Sequence, residues 1–212
     1  ASLGVMYVLT VTERLESGES ELRGLFAGDD TETFERAAAL SQEVNVDLLP
    51  EPMETAVVYL EPDHFHSTWL GNKSIYRTRM AMADDGHLLV LAPGVREFGE
   101  DEDIDRLIRR YGYRGTPATL EAVRENDDIR GNLAAAAHLI HGSSEGRFRI
   151  TYATDPDLMS REEVEGVGFE WMAYDEARDL YDPAELHDGF NDGVFYISDP
   201  ACGLWALRED FE

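Results

Sequence analysis

The chain has 212 residues, 43% of them hydrophobic, and sets 44 Asp and Glu against 18 Lys and Arg for a net charge of −26. That much dispersed carboxylate repels polyanions, which excludes nucleic acid and anionic membrane surfaces as partners. The single Cys202 excludes an internal disulfide, and no apolar run approaches the roughly 18 residues of a membrane span. The start, "ASLGVMYVLTVTERL", lacks the basic segment and apolar core of a secretory signal, so the expectation is a cytoplasmic protein. Because that start enters a strand-like run at once, it reads as cut from something longer. Seventeen of the eighteen cations are arginine, Lys73 being the exception. Molar salt would favour such a composition, since concentrated cations screen self-repulsion. The composition therefore reads as that of a halophilic, acidic protein; the alternative is a GC-rich genome, which also exchanges Lys for Arg.

In chain order, residues 4–11 ("GVMYVLTV") and 21–28 ("ELRGLFAG") read as strands joined by the polar turn "ESGES", a hairpin. "DDTETFERAAALSQEVN" supplies an Asp cap and a helix with Phe34, Ala37, Ala38 and Val44 along one face. "TAVVYL" (55–60) and "HLLVLAPG" (87–94) read as buried strands with a helix containing Lys73 between them, a β-α-β unit with neighbouring parallel strands. "EDEDIDRLIRRYG", "TPATLEAVREN" and the alanine-rich "DDIRGNLAAAAHLIHG" read as three helices, and "RFRITYAT" (147–154) as a strand. Ser160 and Glu163 form a capping box that opens a short helix. After it come "GFEWMAY", a helix from Asp175 and the strand "GVFYIS" (193–198). Without repeats or a long linker, the whole of 1–212 reads as a single α/β domain: a three-layer α/β/α sandwich with a mostly parallel, mixed sheet, Rossmann-like.

Parallel sheets bind ligands outside the carboxyl ends of their strands. The loops that qualify are "EPDHFHSTW" after the first buried strand and "PGVREFGED" after the second. On the helix that follows the first loop, Trp69, Lys73, Tyr76 and Met80 are spaced by four, three and four residues, one longitudinal stripe. An ammonium in that stripe near a positive helix end calls for an anion such as a ligand carboxylate. The bland reading is an alkyl stem that snorkels to solvent or pairs with an acid. His64 and His66 are weak candidates for metal ligands: their i, i+2 spacing permits sharing an ion, but only Asp63 stands near as a third donor. Two polar loop histidines are the simpler reading. In "HLIHGSSEGRFRITYAT", His138 and His141 lie one helical turn apart. The loop itself precedes a strand, so a structural turn with Arg147 tied to carboxylates is expected. No serine-hydrolase elbow, P-loop or dinucleotide fingerprint occurs.

"FAGD" followed by a helix, the lysine helix running into "DDGHLLVLAPGV", and "GNLAAAAHLIHGSSEGRFRITY" resemble the later part of proteins in the nickel-dependent lactate racemase family. "DGVFYISDPACGLWA" resembles the end of some uncharacterised members. The resemblance covers essentially the whole chain, as a C-terminal portion. It implies an isomerase that racemises or epimerises a 2-hydroxy acid by passing the Cα hydride to a nickel-pincer nucleotide. That cofactor would be held by a preceding N-terminal domain, leaving this chain without cofactor and inactive alone. The resemblance further implies that the C-terminal domain closes over the cleft and contributes a catalytic lysine in a Tyr-Gln-x-x-Lys pattern. The matching stretch is Trp69-Leu70-Gly71-Asn72-Lys73, so Trp69, Leu70 and Lys73 are the implied substrate-binding residues. Leucine in place of glutamine departs from the pattern and points away from lactate, toward a larger or less polar 2-hydroxy acid. Two alternatives remain: a stand-alone acidic binding module without catalysis, and a metal-binding protein using His64 and His66.

Overall fold

The computed structural model describes residues 4–15 and 19–210. Strands β1 (Tyr7–Arg14) and β2 (Ser20–Gly28) pair antiparallel as a two-stranded sheet of their own. Residues 16–18 of the expected turn lie outside the described residues. Helix α1 (Thr31–Asn45) is capped by Asp30, whose carboxylate accepts from the Thr33 N–H at 2.8 Å. It packs on one face of this hairpin. A Cβ on Gly24 would lie 2.6 Å from Leu40, so glycine makes room for the helix there. The buried stripe is Ala37 with Leu40 and Val44 half-buried, whereas Phe34 and Ala38, expected on that face, are exposed. Only two strands lie beneath the helix, so the covered stripe is narrow. The hairpin's other face is bare: Val8, Leu22 and Leu25 are 67%, 57% and 64% exposed.

Strand β3 (Asp47–Leu49) leads into β4 (Met53–Tyr59). The connection from β4 holds two one-turn helices, α2 (Thr68–Gly71) and α3 (Lys73–Tyr76), before β5 (Met82–Ala92). Helices α4 (Glu102–Tyr111), α5 (Thr116–Glu125), α6 (Asp127–Arg130) and α7 (Leu133–His141) precede β6 (Arg149–Thr154). Then follow α8 (Arg161–Gly166), β7 (Glu170–Ala173), α9 (Tyr174–Leu180), β8 (Gly189–Asn191), β9 (Val194–Ile197) and β10 (Trp205–Leu207). The capping box expected at Ser160 and Glu163 opens α8. The alanine-rich segment, expected as one helix, is divided between α6 and α7 at Gly131 and Asn132. The Asn132 side chain accepts from the Ala135 N–H and so starts a new helix.

The six-stranded sheet runs β7-β6-β5-β4-β9-β8, parallel except for the β8–β9 pair, while β10 and β3 form a separate parallel pair. Its strands are apolar on both faces, as parallel strands covered on both sides must be. Ala56, Val58, Leu88, Val90, Ile150 and Tyr152 point into the larger core beneath α2 to α8. Their neighbours Val57, Leu89, Leu91 and Ala153 point into a smaller core closed by Ala177 of α9. This is the expected three-layer α/β/α arrangement with a mostly parallel sheet. The chain runs outward from β4 through β5 and β6 to β7, then returns to place β9 on the other side of β4.

Candidate functional site at the β4–β5 connection

The two loops at the carboxyl ends of β4 and β5 are laced together. The Arg96 N–H donates to the His66 carbonyl (2.9 Å), Thr68 N–H to Glu97 O (3.0 Å) and Trp69 N–H to Phe98 O (2.9 Å). The Ser67 hydroxyl donates to the Glu100 carboxylate, and Gly94 leaves no space for a Cβ against the Pro62 backbone. Ser67 also caps α2, accepting from the Leu70 N–H at 3.3 Å. The loops therefore feed the α2–α3 segment from a fixed position.

That segment is not the continuous helix its side-chain spacing predicts. It breaks at Asn72, whose side chain is buried: Oδ1 accepts from the Tyr152 hydroxyl (2.7 Å) and Nδ2 lies 3.4 Å from His138 Nε2. The Ser74 hydroxyl donates to the Gly71 carbonyl (2.7 Å), supplying it with a partner at the break. The expected stripe is accordingly dispersed. Trp69 stacks on His138 with ring centroids 4.3 Å apart, and Leu70 packs against the larger core. Lys73 is half-buried with Nζ 5.8 Å from the centre of the Phe65 ring, a cation–π contact. Tyr76 faces His141 at 6.1 Å, and Met80 is exposed beyond the helices, bridged to Ala206. A four-residue helix has little dipole, so the dipole part of the case for an anion at Lys73 falls away. The other part stands, because among the described residues Lys73 has no carboxylate within ion-pair distance.

Beneath Trp69 and Asn72 lies a buried polar and aromatic group that the sequence reading missed. His138 Nε2 is 2.9 Å from the Tyr113 hydroxyl, itself 2.9 Å from Thr68 Oγ1, which donates to Phe98 O (3.0 Å). Burial, reinforced by the nearby His141, pushes the His138 imidazole down to about 4, so the ring is neutral at ordinary pH. Burial also drives the Tyr113 and Tyr152 hydroxyls upward, which keeps them protonated. The sequence does hint at His138, which lies among Ala135, Ala136 and Leu139 on the apolar side of α7. His141, by contrast, is exposed.

The turn after α7 is structural, as expected. Glu145 accepts from the Thr116 N–H and hydroxyl, and Arg147 donates to Asp84 (2.7 Å) and to the Arg79 and Met82 carbonyls. His64 is exposed and His66 half-buried, with His66 Nδ1 enclosed and unpartnered. Among the described residues, no three His, Cys, Asp or Glu side chains converge as a metal-binding group. Among the described residues, His64 and His66 thus lack a converging third donor of the kind a nickel centre needs. Two open clefts lie elsewhere. One of about 890 Å³ separates the hairpin and α1 from Tyr76, Arg77 and residues 201–204. One of about 700 Å³ lies beside β9 and Trp205. Trp69, Leu70 and Lys73 line neither.

No protein-family model and no curated protein sequence matches the chain. Solved structures do. A crystal structure of a protein from Thermotoga maritima aligns over 96% of this chain and 49% of its own, with a TM-score of 0.67 and 21% identity. The apoprotein of the lactate racemase from Thermoanaerobacterium thermosaccharolyticum aligns over 94% of this chain and 45% of its own, with a TM-score of 0.61 and 13% identity. At these identities the likeness is one of fold. The chain spans about half the length of either structure. Among the described residues, no helix is long and apolar enough to cross a membrane.

Proposed function

We propose that this chain is the C-terminal, substrate-side domain of a lactate-racemase-like isomerase acting on a 2-hydroxy acid, with Lys73 as the ammonium that meets the substrate carboxylate. The observation that carries the reading is the setting of Lys73. The only lysine of the chain stands without a carboxylate partner among the described residues, next to the laced carboxyl-end loops and four positions after Trp69. In a protein of charge −26, a half-buried cation without a carboxylate partner is suited to an incoming anion. Trp69 offers an aromatic wall against the substituent on Cα, and Leu70, packed against the larger core, stands where the related pattern has an amide. The fold likeness to a lactate racemase apoprotein, over less than half of that protein, supports the same reading.

The nickel-pincer nucleotide and its ligands belong, in this proposal, to an N-terminal domain of the polypeptide carrying this sequence. No step assigned to the present residues runs through it. What they do is bind the carboxylate, orient Cα and exclude water.

The test is racemisation of lactate and of larger 2-hydroxy acids by the natural polypeptide that carries this sequence. Lys73→Ala is expected to lower kcat/KM at least about tenfold, the loss of one charge-assisted contact, while the fold persists. Lys73→Arg is expected not to restore it, because the planar, longer guanidinium displaces a substrate for which small misplacements are costly. Near-wild-type activity in Lys73→Arg refutes the assignment.

A further inference from the structure

Starting at Trp69, five rings pass from contact to contact and return to the same segment. Trp69 stacks on His138 (4.3 Å, 29°), and His138 meets Tyr113 edge-on (5.6 Å, 72°). Tyr113 stacks on Phe169 (4.6 Å) and Phe169 on Tyr152 (4.9 Å). The circuit closes when the Tyr152 hydroxyl donates to Asn72 Oδ1, three residues beyond Trp69. Its members come from α2, α7, β6 and the connections after α4 and α8, so the position of Trp69 is set by four separate parts of the fold. In this circuit His138 is the only ring in stacking contact with Trp69, and the Tyr113 hydroxyl and Asn72 amide at its Nε2 edge fix how the imidazole lies.

We propose that His138 is a positioning residue: its imidazole is the platform that holds Trp69, four residues before Lys73, in one orientation, and so sets the aromatic wall of the substrate site. The proposal rests on the functional reading above for the word substrate, but not for the orientation of Trp69. Three features separate a platform from ordinary core filling. Trp69 remains half-buried, so one side of the indole is covered while the residue still reaches the surface. The contact beneath it is a flat ring at stacking distance, where an aliphatic residue would fill the same volume. The edge of that ring is held by polar groups that a purely apolar core would not include. Aromatic pairs in this geometry attract beyond what burial alone supplies, which favours one orientation of the indole.

The 212 residues hold three tryptophans, Trp69, Trp171 and Trp205, so 5-fluorotryptophan labelling of this chain gives three fluorine resonances, with Trp69→Phe assigning the first. In His138→Phe, which keeps a ring, the Trp69 resonance is expected to stay single and shifted from the solvent-exposed position. In His138→Gln, which keeps a polar group at the Nε2 position but no ring, it is expected to broaden or move toward the exposed position while Trp171 and Trp205 are unchanged. In the natural polypeptide that carries this sequence, with 2-hydroxyisocaproate as probe, the affinity of His138→Gln is expected to fall about five- to tenfold and that of His138→Phe to remain within about threefold of wild type. A Trp69 resonance unmoved in His138→Gln overturns the proposal. So does loss of all three resonance positions in both variants, the mark of a purely structural role. If wild type and Lys73→Ala respond identically to lactate and to 2-hydroxyisocaproate, the functional reading fails, while the behaviour of the Trp69 resonance still decides the role of His138.

Discussion

A neutral histidine in the core makes stability depend on acid. His138, 8% exposed, has its imidazole pushed down to about 4, whereas in the unfolded chain it titrates near the ordinary value of 6.5. As pH falls below about 6.5 the unfolded chain takes up a proton that the folded protein refuses, so stability is lost progressively until the pH reaches about 4. The full loss from this one group is on the order of 3 kcal/mol. The carboxylates also titrate at the lower end of that window, so the contribution is read as a difference. Denaturant unfolding of wild type and His138→Gln between pH 7 and pH 4 is expected to show the wild-type advantage shrinking as the pH drops. A difference constant across that range would mean that the imidazole is not held neutral by the fold.

At the scale of elements, the contact between α7 and the α2–α3 segment is tight enough to be tested by one methyl group. Gly142, which ends α7, has an ordinary negative φ, so no backbone strain opposes alanine there. A Cβ at that position would nevertheless lie 2.3 Å from Asn72 Nδ2 and 2.6 Å from the Tyr113 ring. Gly142→Ala is therefore expected to destabilise the protein by about 1–3 kcal/mol through overpacking. Thermal unfolding measures that loss, and an unchanged midpoint would show that the segment yields. The same junction marks where the sequence stops being informative. The central strands were legible because Val57, Val58, Leu88 to Leu91 and Ile150 form continuous apolar runs, the mark of a sheet covered on both sides. The hairpin and the caps at Asp30 and Ser160 were legible because they are local chemistry. The break at Asn72 was not, because it depends on a hydrogen bond from Tyr152, 80 positions away. The stacking of His138 on Trp69 depends on the same tertiary approach, and neither residue's neighbours in sequence encode it. The division between α6 and α7 was present in the letters, since Gly131-Asn132 is a stop followed by a cap.

For the molecule as a whole, charge sets the conditions of folding. Arginines pair with carboxylates at several places, Arg109 joining Asp105 and Glu163 among them, but these pairs are partly exposed and worth at most about 1 kcal/mol each. Salt weakens them. It also weakens the mutual repulsion of 26 uncompensated negative charges, whose screening length shrinks from about 30 Å at 0.01 M to about 3 Å at 1 M. The repulsion involves many more charges than the pairs do, so the net effect of salt is expected to be stabilising. The thermal midpoint should rise steeply from about 0.1 to about 3 M KCl. A flat response would refute the salt adaptation read from the composition.

The bare side of the N-terminal hairpin gives that salt response a second consequence. A two-stranded sheet has two open edges, and here its outward face carries Val8, Leu22 and Leu25. At low ionic strength the carboxylates keep one molecule from approaching another, and these groups stay apart even though they are apolar. The salt expected to favour compaction also screens this long-range repulsion between molecules. The second virial coefficient is therefore expected to move from positive toward negative over the range in which the thermal midpoint is expected to climb, and light scattering at each salt concentration checks it.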